Sequence, residues 1–220
     1  NADNIKLTGV YTHVSSGDSN PGYTKQQLAC FNKAIKNLRC NNGHDNITIH
    51  AANSSTLLNH KTSWYDMVRP GLCLYGLQPF KNSGKKIQLQ PVLSWKTRIV
   101  FLKRVPKGKN ISYGCTYKTS RNTSIATVPV GYGDGYNRLL SNNWYMLVEG
   151  KKANIIGRVT MDMVMLDVTG IQNVRIGTET VIIGNSGNTQ ITAEQLANTC
   201  GTINYETVCN IHTRVPRIYI

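Results

Sequence analysis

Four groups of residues in this 220-residue chain have types and spacing that could do chemistry. The first is Gly131-Tyr132-Gly133-Asp134-Gly135-Tyr136-Asn137-Arg138, which follows the β-branched run Ser124 to Val130. Its glycines let the backbone take positive φ and approach another group closely, so Tyr132 can be aimed. From spacing alone, the same residues describe a hairpin turn carrying an aromatic flap. The other three groups are Thr12-His13, His50-Ala51-Ala52-Asn53-Ser54 and Arg69-Pro70-Gly71-Leu72. A helix start carrying Ser54, the backbone at Gly71 and the fixed charge of Arg69 would together make a phosphate cradle. Taken singly, each has an ordinary structural use. Ser54 could be a plain helix cap, His13 and His50 satisfied core histidines, and Arg69 a salt-bridge partner.

The elements that must position these groups change character near Gly76. Residues 5–14 and 47–50 read as short buried strands, and 66–72 reads as a third strand interrupted by Pro70-Gly71. Between them, 23–39 carries Leu28, Phe31, Ile35 and Leu38 at helical steps, with Thr24 as N-cap. A second helix begins near Asn53, with Ser54 and Ser55 in capping positions. Strand–helix–strand–helix–strand implies parallel pairing and a β/α architecture, in which working residues follow the C-terminal ends of strands. Residues 76–90 read as a linker. Beyond them, β-rich runs at about 91–105, 123–130, 144–149, 153–158, 162–168 and 179–183 predict an all-β domain, a sandwich or barrel. Helical periodicity returns at 192–199 with Thr192 as N-cap. The reading is α/β plus all-β: residues 1–80 are part of a β/α barrel, and 81–220 form a C-terminal β domain.

Composition narrows the function classes. No apolar run approaches the ~18 residues of a membrane span, and the polar start Asn1–Asn4 predicts no signal peptide over these residues. The six cysteines form no Cys-x-x-Cys pair and read as free thiols in a reducing compartment. The five histidines show no metal-ligand spacing, which argues against a metal site. The formal charge is +14, and residues 81–121 hold eleven basic and no acidic residues. These positives alternate with apolar residues as on half-buried strands, without an aromatic stacking pattern. A solvated basic surface is favoured over a nucleic-acid partner.

Taken together, Tyr11-Thr12-His13, His50 to Ser54, Met67 to Gly76, Ile111-Ser112-Tyr113-Gly114-Cys115-Thr116-Tyr117, Gly131 to Tyr136, Gly157-Arg158-Val159-Thr160-Met161-Asp162 and Arg214-Val215-Pro216-Arg217 occur in the order and spacing of alanine racemases. The chain resembles the second half of such an enzyme. The resemblance implies a pyridoxal 5'-phosphate-dependent amino-acid racemase with an N-terminal β/α barrel and a C-terminal β domain, supplying D-alanine or D-serine for peptidoglycan precursors. It implies that Tyr132 is a catalytic base acting from the partner subunit of a homodimer with shared active sites. His13, Arg69 and His50 form a hydrogen-bonded chain behind it, and Arg69 also meets the cofactor ring. Asn53, Ser54, Gly71, Leu72 and Thr213 belong to the cofactor site. Met161, Thr160 and Asp162 line the substrate carboxylate side.

Two departures from the family pattern stand out. No lysine here has the Lys-x-x-Ala-Tyr-Gly context of the family's cofactor-binding lysine, so this polypeptide alone is expected to be inactive. A non-catalytic dimerisation or partner-binding role for the isolated β domain is the alternative. The tyrosine usually found before Arg-Val-Pro-Arg is Thr213. The smaller side chain suggests room for serine beside alanine. The chain is similar in this to the membrane-anchored serine/alanine racemases of the vancomycin-resistance type, which implies a cytoplasmic racemase domain tethered only through an upstream anchor.

Overall fold

The computed structural model describes residues 4–42, 46–79 and 87–220. The chain divides into two compact units, Asn1–Val92 and Leu93–Ile220. Part of the expected linker, 80–86, lies outside the described residues.

The first unit is built on two parallel strands, β1 (Gly9–Tyr11) and β2 (Thr48–His50), with helices α1 (Pro21–Asn42) and α2 (Ser54–Asn59). The register sets Tyr11 opposite His50. Leu28, Phe31 and Ile35 of α1 are buried against Val14, Ile47, Ile49 and Ala51, as their three- and four-residue steps require. The helix starts earlier than its periodicity suggests. Pro21 opens it, where a missing N–H costs nothing, and Asn20 Oδ1 accepts the Tyr23 N–H at 3.0 Å. The expected cap, Thr24, is a buried residue inside the helix whose hydroxyl donates to the Ser16 carbonyl. At α2 the cap is Asn53, in a reciprocal box with Thr56. That leaves the hydroxyl of Ser54 to other work. Residues 66–72 do not form a strand. The parallel alignment survives as a His50–Met67 bridge, the Asp66 N–H on the Ile49 carbonyl and the Arg69 N–H on the Ala52 carbonyl. It ends at Pro70, which has no N–H to continue a ladder, and Leu72–Tyr75 turns into a 3-10 helix.

The second unit contains β3 (Trp95–Arg98), β4 (Phe101–Val105), β5 (Asn110–Ile111), β6 (Tyr117–Lys118), β7 (Thr123–Val128), β8 (Tyr145–Val148), β9 (Lys151–Ile155), β10 (Val164–Asp167), β11 (Glu179–Ser186) and β12 (Thr189–Ile191). Strands 12-11-8-9-10-7-4 run in that order through an antiparallel sheet, and β3 pairs with β11. Only Ile99 and Val100 separate β3 from β4. Ile99 exchanges hydrogen bonds with Thr178 and Gly177 beside β11, while the Val100 N–H reaches the Thr127 carbonyl of β7. One kinked strand therefore belongs to both edges of the sheet, which decides the expected β domain as a barrel that has no free edge there. Buried positions alternate along β10, whereas β7 buries the adjacent Ile125 and Ala126, and Val128, Met146, Leu147, Leu166 and Ile182 are essentially inaccessible.

Helix α3 (Ala193–Thr199) carries the expected Thr192 cap, completed by Gln195. A short helix, α4 (Asn204–Cys209), follows it. The six cysteines are free. Among the described residues, no helix is long and apolar enough to cross a membrane.

Candidate active site

In the first unit, parallel pairing brings Thr12, His50 and Arg69 to the same ends of their segments. Ala51 and Ala52 are fully buried and small enough for Arg69 to lie across them. Its Nη1 donates to His50 Nδ1 at 2.5 Å, and its Nη2 donates to the carbonyls of Thr12 at 3.0 Å and Ala51 at 3.3 Å. Arg69 keeps its protons, so the imidazole must accept, and His50 is neutral with its proton on Nε2. Desolvation, followed by the Arg69 charge, holds the His50 pKa below its ordinary value of 6.5. Tyr11 stacks flat on His50, with ring centroids 5.2 Å apart, and the Arg69 guanidinium lies 5.2 Å from the Tyr11 ring centroid. Nε–H and one Nη1–H of Arg69 have no acceptor among the described residues, so this cation presents fixed donors.

The phosphate-cradle residues also converge. Ser54 Oγ accepts the Gly71 N–H at 2.8 Å and the Cys73 N–H at 3.4 Å. The N–H groups of Ser54 and Ser55, in the first turn of α2, have no intrahelical acceptor. The Ser54 and Ser55 N–H groups and the Ser54 hydroxyl hydrogen are the donors left at this point, with Arg69 two residues away from Gly71, and they fit a phosphorylated ring that needs an N–H donor at its nitrogen. Asn53 is committed locally. Its Oδ1 accepts from Thr56, and its Nδ2 donates to the Val14 carbonyl at 3.0 Å. His13 is exposed and approaches Asn53 Nδ2 at 3.5 Å. It is not among the hydrogen-bond partners of Arg69, which is joined instead to the carbonyl of the preceding residue, Thr12.

In the second unit, three segments meet backbone against backbone. The Tyr132 N–H donates to the Thr160 carbonyl at 3.0 Å and the Gly133 N–H to the Met161 carbonyl at 2.9 Å, while the His212 N–H donates to the Asp134 carbonyl at 3.0 Å. A Cβ on Gly131 would lie 2.2 Å from the Thr160 oxygen, and one on Gly135 would lie 1.9 Å from the Asn210 oxygen. Gly135 also has φ +96°. The glycines are therefore explained by close approach. Asp134 and Arg214 complete the junction. Asp134 Oδ2 accepts the Gly131 N–H at 2.8 Å, and Arg214 reaches Asp134 and Asp162 at 2.7 and 2.8 Å. Those hydrogen bonds, Asp134 first, raise the Arg214 pKa. Tyr132, Met161 and the exposed Thr213 are all carried on these three segments, and Tyr132 is 45% exposed.

Sequence reasoning assigned no role to a second exposed tyrosine, Tyr113, on the loop between β5 and β6. It is 74% exposed. It is flanked by Ser112, Gly114 and Cys115 at φ +63°, +71° and +51°. Two of those three are not glycine, so the loop holds backbone strain on both sides of Tyr113. Ser112 Oγ donates to the Arg158 carbonyl at 2.8 Å, and the Arg158 guanidinium packs on Gly114, 3.3 Å from where a Cβ would stand. The Ser-Tyr-Gly-Cys string was the available signal. Its backbone strain is not visible in residue types.

Residues 92–219 match a family model described as alanine racemase, C-terminal domain, and residues 1–79 match alanine racemase, N-terminal domain. The alanine racemase of Halothermothrix orenii is 50% identical over 218 residues, covering 98% of this chain and 57% of the relative. That of Methanococcus maripaludis is 41% identical over 220 residues, covering 99% and 58%. Among solved structures, alanine racemase from Bacillus anthracis with bound L-Ala-P superposes with a TM-score of 0.90 at 38% identity, covering 98% of this chain and 55% of that one. Alanine racemase from Bartonella henselae with covalently bound pyridoxal phosphate gives 0.85 at 26%, covering 98% and 57%. The chain thus spans a little over half the length of the relatives it matches.

Two outcomes follow from this geometry. Gly135→Ala forces a Cβ into the Asn210 carbonyl at positive φ and should destabilise the protein by about 3 kcal/mol or more. Gly170→Ala, also at positive φ but with nothing within 4 Å, should cost about 1 kcal/mol, and denaturant titration of the two variants measures the difference. The His50 imidazole should titrate below 6.5 by NMR. Because the unfolded chain then binds the proton more readily, this residue's stability contribution is present above pH 6.5 and is lost as pH falls through the folded-state value. His50→Gln should flatten that part of the stability–pH curve.

Proposed function

The chain belongs to the alanine racemase family, and we propose that it is the cofactor-ring and substrate-side portion of a pyridoxal 5'-phosphate-dependent amino-acid racemase acting on alanine. The observation that carries this reading is the Arg69–His50 pair beside the Ser54–Gly71 contact. When bound, the cofactor supplies the electron sink that lets the bond to the substrate α-hydrogen break. Arg69 holds the ring nitrogen by donating an N–H that it does not give up. This keeps the sink weak and disfavours side reactions such as transamination. Ser54 with the Gly71 and Leu72 backbone holds the phosphate. The Thr160–Asp162 segment lines the substrate carboxylate side.

Reversal of configuration requires one group to take the α-proton from one face and another to return a proton on the opposite face. Two tyrosines are candidates for the first task. Tyr132 lies on a loop whose glycines are accounted for by packing. Tyr113 is more exposed, is presented by strained backbone and has the Arg158 cation packed against its loop. A free tyrosine titrates near pH ~10 and needs a neighbouring cation to act as a base at neutral pH. We assign the base to Tyr113, with Tyr132 beside the substrate. The tyrosine is supplied by the partner copy in a head-to-tail homodimer. The opposite-face group would be the lysine of a Lys-x-x-Ala-Tyr-Gly segment, which these 220 residues do not contain. His13 and Thr213 border the cofactor, and Thr213 leaves space for a hydroxymethyl side chain, so serine is a second substrate.

The test uses full-length protein loaded with pyridoxal phosphate, following D-alanine formation from L-alanine and solvent deuterium entering Cα. Tyr113→Phe should lower kcat on the order of a thousandfold and Tyr132→Phe by about tenfold or less. A larger loss in Tyr132→Phe returns the base to Tyr132, and no exchange in the wild type overturns the reaction. Thr213→Tyr should lower the ratio of serine to alanine kcat/KM by about tenfold. An unchanged ratio removes serine from the proposal.

A further inference from the structure

Arg214 lies outside the residues that the proposed reaction uses, yet it joins three chain segments that carry them. Its Nε donates to Asp134 Oδ1 at 2.7 Å and its Nη2 donates to Asp162 Oδ1 at 2.8 Å, with the Met161 carbonyl at 3.5 Å from the same Nη2. The guanidinium packs on the loop backbone so closely that a Cβ on Gly133 would stand 2.5 Å from Nη2. The two carboxylates are not equivalent. Asp134, with a side chain only 13% exposed, is also held by the Gly131 N–H. The Asp162 side chain is 59% exposed, and Arg214 is its hydrogen-bonding partner among the described residues. Asp134 therefore anchors the guanidinium, and the guanidinium in turn places Asp162.

We propose that Arg214 is a positioning residue for the substrate-carboxylate side, using the fixed fork of its guanidinium to set the spacing between the Tyr132 loop and the Met161–Asp162 segment. Lysine cannot replace it. An ammonium is a single point charge, whereas Nε and Nη2 present two N–H vectors at a fixed angle to two separate acceptors. The chain order explains why this residue has the task. Arg214 follows Thr213 directly, so one short segment places a cofactor-side residue and fixes the substrate-side loop. The catalytic consequence rests on the racemase reading above. The mechanical one does not.

The experiment compares Arg214→Lys, Asp162→Asn and the double variant in the full-length, cofactor-loaded protein, with two readouts. Amide hydrogen exchange reports on the Tyr132 and Gly133 N–H groups, which bond Thr160 and Met161, and on residues 160–163. Steady-state kinetics report KM and kcat for alanine. In Arg214→Lys, exchange at these amides should rise at least tenfold without a matching rise across the barrel strands. KM should rise on the order of tenfold to a hundredfold, with a smaller change in kcat. Since Arg214 acts through Asp162, the double variant should be no worse in KM than Arg214→Lys alone. Unchanged exchange at Tyr132 and Gly133 overturns the positioning role, and so do additive KM effects or a kcat loss with KM unchanged. If the wild type exchanges no α-proton, the racemase reading fails, and the exchange data alone then decide whether Arg214 fixes the two loops.

Discussion

The second unit depends on one contact: segment 131–135 lies so close to 160–162 and 210–214 that Cβ atoms on its glycines would meet the Thr160 and Asn210 oxygens or the Arg214 guanidinium. Peptide planes brought this close must lose every Cβ that would intervene, which is why Gly131, Gly133 and Gly135 alternate. They must also satisfy the N–H and carbonyl groups that water can no longer reach. The Tyr132, Gly133 and His212 amides do so across the junction, and the Asp134 carboxylate takes the Gly131 N–H while holding Arg214. The charge pair is a consequence of that closeness. A carboxylate buried to cap a backbone donor needs a cation, and the nearest segment supplies one.

The first unit solves a different problem with parallel strands. Register alone sets Tyr11 beside His50 and brings the end of the third segment alongside. Because an arginine cannot lose its proton, the histidine it touches must accept, and burial supports the same neutral form. A guanidinium held by one imidazole and two carbonyls has lost most of its freedom before any ligand arrives. That is the useful state for a donor meant to meet a ring nitrogen without protonating it. The stacked Tyr11 covers part of the charge without offering it a counterion.

Much of this was legible in residue order, because it was local. The β-rich runs after residue 90, the Thr192 cap and the apolar steps of α1 follow from periodicities and side chains within one or two turns. The same locality misplaced the caps of the first two helices. Thr24 and Ser54 are good capping types, but the hydroxyls were claimed by Ser16 and Gly71, and Asn20 and Asn53 took the caps. The run 66–72 looked like a strand by composition, and Pro70 stopped the ladder that composition promised.

The amino-acid order by itself determined the two-part architecture and the family, since these rest on residue type and short spacing. Only the tertiary structure decided that the β domain closes as a barrel through Ile99 and Val100. Only it showed that, of the expected chain of His13, Arg69 and His50, Arg69 meets His50 and the Thr12 carbonyl, and that Tyr113 is exposed on a strained loop. The glycines of the Tyr132 loop allow the close approach and positive φ that their type suggests, and the structure identifies what approaches: the 160–162 and 210–214 segments. The contact between Asp134 and Arg214 spans 80 residues, and no local pattern encodes a partner that far along the chain.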